Sequence, residues 1–332
     1  MMQYILSMKA ARFIGPGSIE VREEDIPAPT SDELLIQVKS AGLCGTDLHI
    51  FDGSNTGLVT PGTVLGHEFA GIVAEIGKGV KGFEKGDRVA IEPNLFCGHC
   101  YYCRTARKHF CENWSAIGLS RDGGFQEYCA IPASAAYKFS ETINFPTAAL
   151  FEPLSCVLHG LERSKLKAGE SVLLQGAGGI GQLFLKILSK MGLNDIIVSD
   201  IDSDKLAIAK SNGATHIINV QQEDLIHFVH KITNGYGVNV MIDAAGLTST
   251  ITDSLSLLEN TGRVLIFGVP SEKQKAEIVP YQIYKKEIEI IGSYTNPYSN
   301  EASIRLLKRL NLVDIVTHSI TLENIVEQGL NV

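Results

Sequence analysis

Two rhythms divide the chain. From Lys9 to about Ile131 the apolar positions come in short runs, such as Leu34-Leu35-Ile36-Gln37-Val38 and Gly71-Ile72-Val73-Ala74, cut by frequent Gly and Pro. That pattern predicts an irregular β-rich barrel without a long helix. After Pro153, short apolar runs at Ser171 to Gln175, Ile196 to Ser199, Ile217 to Val220, Val240 to Asp243 and Val264 to Gly268 alternate with helix-length amphipathic segments. Parallel strands need crossover connections, so this half predicts a parallel, doubly wound sheet. Beyond Gly292 the rhythm breaks at Tyr294-Thr295-Asn296-Pro297, and an amphipathic helix over Glu301 to Arg309 leads to a final segment expected to pack back on the first half. The expected domains are 1–153 with 294–332, and 154–293.

A length of 332 residues suits two cores better than one, and 45% hydrophobic residues is ordinary for a globular protein. The net charge of −8 leaves no cationic surplus for a nucleic-acid backbone. The first residues, Met1 to Met8, lack the basic flank and apolar stretch of a secretory signal, and no apolar run is long enough to span a bilayer. The expected place is the cytoplasm, with neither nucleic acid nor membrane as partner.

Cysteine usage changes the picture. Of seven cysteines, Cys97, Cys100, Cys103 and Cys111 fall within fifteen residues, the first three as C-x-x-C-x-x-C. Four thiolates can close a tetrahedron with no position left for water, which is how a structural zinc is held. A redox dithiol, a disulfide pair or an iron–sulfur cluster are the other uses of such spacing. His99, inside the run, is expected to be a bystander.

A second constellation is looser. Cys44-Gly45-Thr46-Asp47-Leu48-His49 and Gly66-His67-Glu68 bring a thiolate, an imidazole and a carboxylate to two loops, and Glu152 lies just before the parallel-sheet half. A Cys/His/Glu set with one open position has the composition of a catalytic zinc. Each residue alone is equally compatible with a buried small hydrophobe or a satisfied core histidine.

Gln175-Gly176-Ala177-Gly178-Gly179-Ile180-Gly181 supplies G-x-G-x-x-G after an apolar strand and before a helix expected over Gln182 to Met191. Glycine lets the backbone approach a pyrophosphate, to which the helix N-terminus offers free N–H groups. The next strand ends at Asp200, nineteen residues past Gly181. A carboxylate there can bond both ribose hydroxyls and would repel a 2′-phosphate, which favours NAD over NADP. Gly268 and Val269, at the end of the last expected strand, complete the coenzyme candidates with Gly176, Gly178, Gly179, Ile180 and Gly181.

With both metal sets and this turn in hand, the chain resembles the zinc-dependent medium-chain dehydrogenase/reductase family. The resemblance runs in order through Cys44 to His49, Gly66 to Glu68, Lys85-Gly86-Asp87-Arg88-Val89, the four cysteines, Gly123-Gly124-Phe125, Glu127-Tyr128 and Glu152-Pro153-Leu154. It implies an α/β protein, with a GroES-like β-rich catalytic domain, a Rossmann coenzyme domain and an active site between them. It implies two zinc ions per chain, one held by Cys44 and His67 with Glu68 and Glu152 acting directly or through water, the other by Cys97, Cys100, Cys103 and Cys111. The implied chemistry is hydride transfer from an alcohol to NAD, with zinc as Lewis acid, Thr46 bonding the reacting oxygen, His49 passing its proton to solvent and Asp47 orienting His67. Lys205 would flank the NAD ribose. Family members commonly pair as homodimers or homotetramers, and they usually continue past the position of Leu322-Glu323-Asn324 with a helix and a strand, which here would be cut short at Val332.

Glu152-Pro153-Leu154-Ser155 and Arg88-Val89-Ala90-Ile91-Glu92-Pro93 are similar to the polyol, sorbitol-like branch, so a polyol is the expected substrate. Ile50 and Thr295-Asn296 depart from sorbitol dehydrogenases, which carry Tyr and Arg-Tyr there. Pro93 and Asn94 stand where L-threonine dehydrogenases have Thr-His. Arg121-Asp122-Gly123-Gly124-Phe125 looks more like sugar-alcohol-phosphate dehydrogenases, with Arg121 either near a phosphate or an ordinary loop arginine. Outside this branch stand a catalytically silent NAD-binding member and a zinc-free, NADPH-dependent reductase of the same fold. The intact metal set speaks against the first, and the cysteine cluster and Asp200 against the second.

Overall fold

The computed structural model describes residues 7–55, 57, 59–270 and 273–331. It divides into two compact units, one made of the chain up to Ser155 together with Asn296 onward, the other of Cys156–Thr295.

In the first unit the alternating runs become an antiparallel five-stranded sheet in the order Tyr128–Pro132, Glu33–Gly42, Glu68–Ile76, Arg88–Ile91, Ala136–Lys138. Leu34, Ile36, Phe69, Val73, Val89, Ile91 and Ile131 form the core of this sheet. A hairpin of Ser7–Gly15 with Ser18–Asp25 joins a second core, where Ala10 and Phe13 meet Ile50, Val64, Leu65 and Phe125. The C-terminal segment packs on this unit: Ile325 and Leu330 are buried in that second core, and Lys9 pairs with Glu323 at 2.6 Å. Helices before Ile131 are short, Gly45–Phe51 and Tyr101–Arg104.

The second unit is a six-stranded parallel sheet in the order His216–Asn219, Ile196–Asp200, Val172–Gln175, Val238–Asp243, Leu258–Ile266, Glu289–Gly292. Numbered along the chain, that order is 3-2-1-4-5-6, with the direction of winding reversing next to Val172–Gln175. The sixth strand was not among the expected five, because Glu289 and Ile290 on this sheet edge mix charge with apolarity. The helix after the glycine turn runs Gly179–Leu188 rather than Gln182 to Met191: the glycines themselves form its first turn, with Gly178 as N-cap. Similarly Phe151–Ser164 starts before Pro153, which sits in the helix's first turn where no backbone donor is required.

Among the described residues no helix is long and apolar enough to cross a membrane. The buried position of Leu330 makes the return of the C-terminal segment testable. Leu330→Ala removes a side chain that is 7% exposed and should cost about 2 kcal/mol in denaturant unfolding; a change within a few tenths would mean that the segment does not belong to the core.

Candidate functional site

The structure brings Cys44, His67 and Glu68 together: their ligand atoms all lie within 4.8 Å of one another. Cys44 is the N-cap of Gly45–Phe51, and its backbone N–H donates to Asp47 Oδ2 at 3.0 Å, so the helix start fixes the thiol's direction. His67 and Glu68 open the strand Glu68–Ile76, which pairs with Glu33–Gly42 so that Gly42 faces Glu68. A Cβ on Gly42 would lie 2.5 Å from Glu68 Oε2. The missing side chain there is the space the carboxylate occupies.

The loop carrying His67 is gripped on one side through backbone hydrogen bonds. Gly123, Gly124 and Phe125 donate from their N–H groups to the carbonyls of Val64, Gly66 and Leu65 at 2.8, 2.7 and 3.0 Å. Cβ atoms on Gly118 and Gly123 would come within 2.5 and 2.3 Å of the Gly66 carbonyl oxygen. Gly66 itself has φ +91°, a conformation L side chains rarely adopt.

Asp47 is fully buried, and its Oδ1 lies 3.6 Å from His67 Nδ1. Both atoms lack a hydrogen-bond partner and face each other. A proton on Nδ1 directed at Asp47 would leave Nε2 as the donor to a metal. Burial, followed by the charge of Glu68, pushes the Cys44 thiol up, and burial also raises Glu68. Burial works against a charged His67, but Asp47 and Cys44 hold it well above the usual histidine range. Thiolate and carboxylate together carry the charge a divalent cation neutralises, so this donor set fits zinc.

Cys97, Cys100, Cys103 and Cys111 form the second group whose ligand atoms all lie within 4.8 Å. None is in a disulfide. The backbone N–H of Cys100 points at Cys97 Sγ and that of Cys97 at Cys111 Sγ, both at 3.4 Å, which is the environment of thiolates. Backbone donors, His99 first, draw Cys97 down to about 6, while burial and its neighbours push Cys103 to about 12. Four sulfurs so placed cannot all ionise without a cation, and they leave no place for a fifth donor. His99 is exposed, with Nδ1 2.8 Å from the Cys97 carbonyl, and contributes no ligand to the group.

Glu152 is buried but is not among the residues whose ligand atoms converge with Cys44. Thr46 is half-buried in the first turn of Gly45–Phe51. His49, one turn on, is exposed, with Nδ1 3.2 Å from Ser54 Oγ and 3.8 Å from Asp52. Arg121 is engaged with Glu33 at 2.6 Å.

In the second unit the glycine turn lies at the carboxyl end of Val172–Gln175. Gly176 has φ +100°, and a Cβ on Gly181 would meet the Gly176 carbonyl oxygen at 2.0 Å, so only glycine packs helix against strand here. Asp200 accepts from Ala177 N–H at 2.7 Å and from Asp202 N–H at 2.9 Å, which places its carboxylate against the turn. Ile180 and Gly179 lie in the first turn of the helix. Lys205 is exposed, 3.7 Å from Asp202. Gly268 donates its N–H to the Asp243 carbonyl at 2.8 Å, and Val269 is 68% exposed. Sequence reasoning missed the neighbouring turn. Asp243 Oδ1 accepts from Ala245 and Gly246 N–H at 3.1 Å, and a Cβ on Gly176 would lie 3.0 Å from Ala245 N. The signal was an acidic residue ending a strand and followed by Ala-Ala-Gly.

Comparison with known proteins agrees with this geometry. Residues 30–141 match the alcohol dehydrogenase GroES-like domain and residues 179–310 the zinc-binding dehydrogenase domain. Sorbitol dehydrogenase of Bacillus subtilis is 32% identical over 96% of this chain and 91% of its own. The chain belongs to the zinc-dependent medium-chain dehydrogenase/reductase family. L-threonine 3-dehydrogenase of Pyrococcus horikoshii is 35% identical over 90% of this chain and 87% of its own. A Sinorhizobium meliloti protein described as a zinc-binding dehydrogenase and solved with NADP superposes with a TM-score of 0.93 at 35% identity, covering 98% of this chain and 96% of that one. A member of this family is an oxidoreductase that oxidises a small-molecule alcohol with zinc and a nicotinamide coenzyme.

The Gly42–Glu68 contact yields a direct test. Gly42→Ala should displace the Glu68 carboxylate and weaken metal at the Cys44 group by about tenfold or more, read by metal analysis after dialysis against a chelator. The four-cysteine group should keep its metal. Equal retention at both groups would show that Glu68 is not a donor.

Proposed function

We propose that this chain oxidises a secondary alcohol of the polyol class to the ketose, with NAD as hydride acceptor. The observation that carries the reading is the convergence of Cys44, His67 and Glu68. Cys44, His67 and Glu68 would hold the catalytic zinc, with Glu152 completing the shell directly or through water; Cys97, Cys100, Cys103 and Cys111 would hold the structural one. When bound, zinc supplies Lewis acidity toward the alcohol oxygen and the nicotinamide supplies the hydride acceptor.

The chain's own groups do the rest. Thr46 and His49 are three positions apart on one helix, hence on one face; the Thr46 hydroxyl would hydrogen-bond the substrate oxygen, giving up its own proton as it takes the substrate's, and His49 would accept the released proton and pass it to solvent. Ser54 and Asp52 hold the imidazole. Asp47 keeps His67 in one orientation. Gly176, Gly178, Gly179, Ile180 and Gly181 would cradle the coenzyme pyrophosphate, with Gly268, Val269 and Lys205 near its other parts. Asp200, anchored on the turn by Ala177, would take the ribose hydroxyls and disfavour a 2′-phosphate. The working assembly would be a homodimer or homotetramer.

Within the substrate class, the ion pair of Arg121 with Glu33 supports a plain polyol over a polyol phosphate, because the one arginine suggested for a phosphate is already engaged. A panel of polyols, polyol phosphates and L-threonine, followed at 340 nm with NAD and with NADP, tests this; turnover of L-threonine alone would overturn it.

Two variants test the roles. Cys44→Ser should leave about one zinc of two and lower kcat by a factor of at least ~100, as expected when a metal that polarises the substrate is lost. Asp200→Asn keeps one acceptor oxygen, replaces the other with an amide donor and removes the charge, and should lower the preference for NAD over NADP by about tenfold. An unchanged ratio would remove Asp200 from coenzyme selection.

A further inference from the structure

A buried polar network inside the first unit has no part in the reading above. Trp114, just after Cys111, donates its indole N–H to Asn94 Oδ1 at 2.9 Å. Asn94 Nδ2 donates to Asn296 Oδ1 at 2.9 Å and to Glu92 Oε1 at 2.7 Å. Asn296 Nδ2 donates to Ser155 Oγ at 2.5 Å and to Glu92 Oε2 at 3.0 Å. Ser155 Oγ in turn donates to the Glu152 carbonyl at 2.6 Å. Asn94 is 7% exposed, Asn296 1% and Ser155 0%.

The direction of this chain follows from donor inventory. An indole nitrogen can only donate, so Asn94 must turn its oxygen to Trp114 and its nitrogen to Asn296. The Asn296 oxygen is then taken, its nitrogen must face Ser155, and the hydroxyl, having accepted, is left with one proton for Glu152. No group can flip without stranding a buried donor or acceptor, which costs far more than an ordinary hydrogen bond contributes. Glu92 braces the middle of the chain. Its carboxylate accepts from Asn94 and Asn296 and also from Asn300 Nδ2, on the helix Asn300–Leu307.

We propose that Asn94, Asn296 and Ser155 are positioning residues that carry the geometry of the four-cysteine lobe to Glu152 and thereby set how tightly the Cys44–His67–Glu68 site holds its metal. One end of the chain is three residues from Cys111 and the other is the peptide from which the Glu152 side chain springs. Ser155 bonds the Glu152 carbonyl within the first turn of Phe151–Ser164, so the polar chain ends on the backbone that carries the Glu152 side chain. The inference rests on the proposal that Glu152 completes the shell of the catalytic zinc.

The test uses variants that delete one atom group each. Ser155→Ala removes the last link and Trp114→Phe the first donor while keeping a ring. Zinc release from full-length protein to a chromophoric chelator is followed, with the phase belonging to the Cys44 site identified by its loss in Cys44→Ser. Both variants should release that zinc about tenfold faster, within the range seen when groups behind metal ligands are removed, with circular dichroism and the slow phase from the four cysteines unchanged. In a Glu152→Ala background Ser155→Ala should have no additional effect on release, because the carboxylate it would position is gone although the backbone carbonyl remains. If Glu152→Ala speeds release but Ser155→Ala does not, or if the two effects simply multiply, the positioning role is overturned. If Glu152→Ala itself leaves release unchanged, it is the shell assignment that fails. Should Ser155→Ala lose its fold by circular dichroism, the decision passes to Trp114→Phe, for which unchanged release in wild-type background overturns the proposal.

Discussion

The constraint that the metal-ligand loop of the first unit depends on is steric: backbone meets backbone around Gly66 at distances where no Cβ fits. Gly118, Gly123 and Gly124 crowd the carbonyl of Gly66 and the ring of Phe69, and each contact would fall below 3 Å with any side chain added. The contacts are short because Gly123, Gly124 and Phe125 hydrogen-bond across to Val64, Gly66 and Leu65. His67 and Glu68 therefore leave a rigid loop in one direction only. The same loop is tied outward, since Asp122 accepts from Val64 N–H at 2.9 Å and pairs with Arg12, whose guanidinium also bonds the Gly62 carbonyl and Glu24. A site built this way is preorganised before any ligand arrives.

That rigidity gives the electrostatics their meaning. A mobile Cys44, His67 and Glu68 would move apart to relieve burial. Held within 4.8 Å, they must instead shift their proton equilibria, upward for the thiol and the carboxyl. A divalent cation reverses both shifts by favouring the ionised forms. The four-cysteine group solves the same problem with a different outcome, because four sulfurs close the shell whereas three donors leave room for a substrate oxygen. Under the proposed function, closed and open coordination would separate a structural from a chemical role by donor count.

Much of this was legible in the residues. Both metal groups, the glycine turn and the two rhythms of the chain are local patterns, and local patterns survive in sequence. What was not legible depends on partners far apart in the chain. Gly42 reads as one more glycine until the strand pairing sets it opposite Glu68. Asp243 reads as a strand end until its turn meets Gly176. The sixth strand, Glu289–Gly292, was hidden because an edge strand carries a mixed pattern rather than a continuous apolar run. The helix after the glycine turn reads as starting at Gln182 rather than Gly179 because glycine is taken as a breaker, although it is tolerated in a first turn.

The substrate question looks different once distant residues are seen together. Asn94 and Asn296 each departed from a different dehydrogenase pattern and each weakened one substrate assignment by itself. In the structure they hydrogen-bond each other across 202 positions of sequence and share Glu92. Two amides with complementary ends can only be exchanged as a set, since replacing one strands the other's buried polar atoms. The two departures therefore count as a single change. Asn296, at 1% exposure with its amide engaged on both sides, is a bracing group rather than a free hand for a substrate hydroxyl. Its divergence from a sorbitol-like pattern therefore falls on a buried bracing position rather than on a group free to bind substrate.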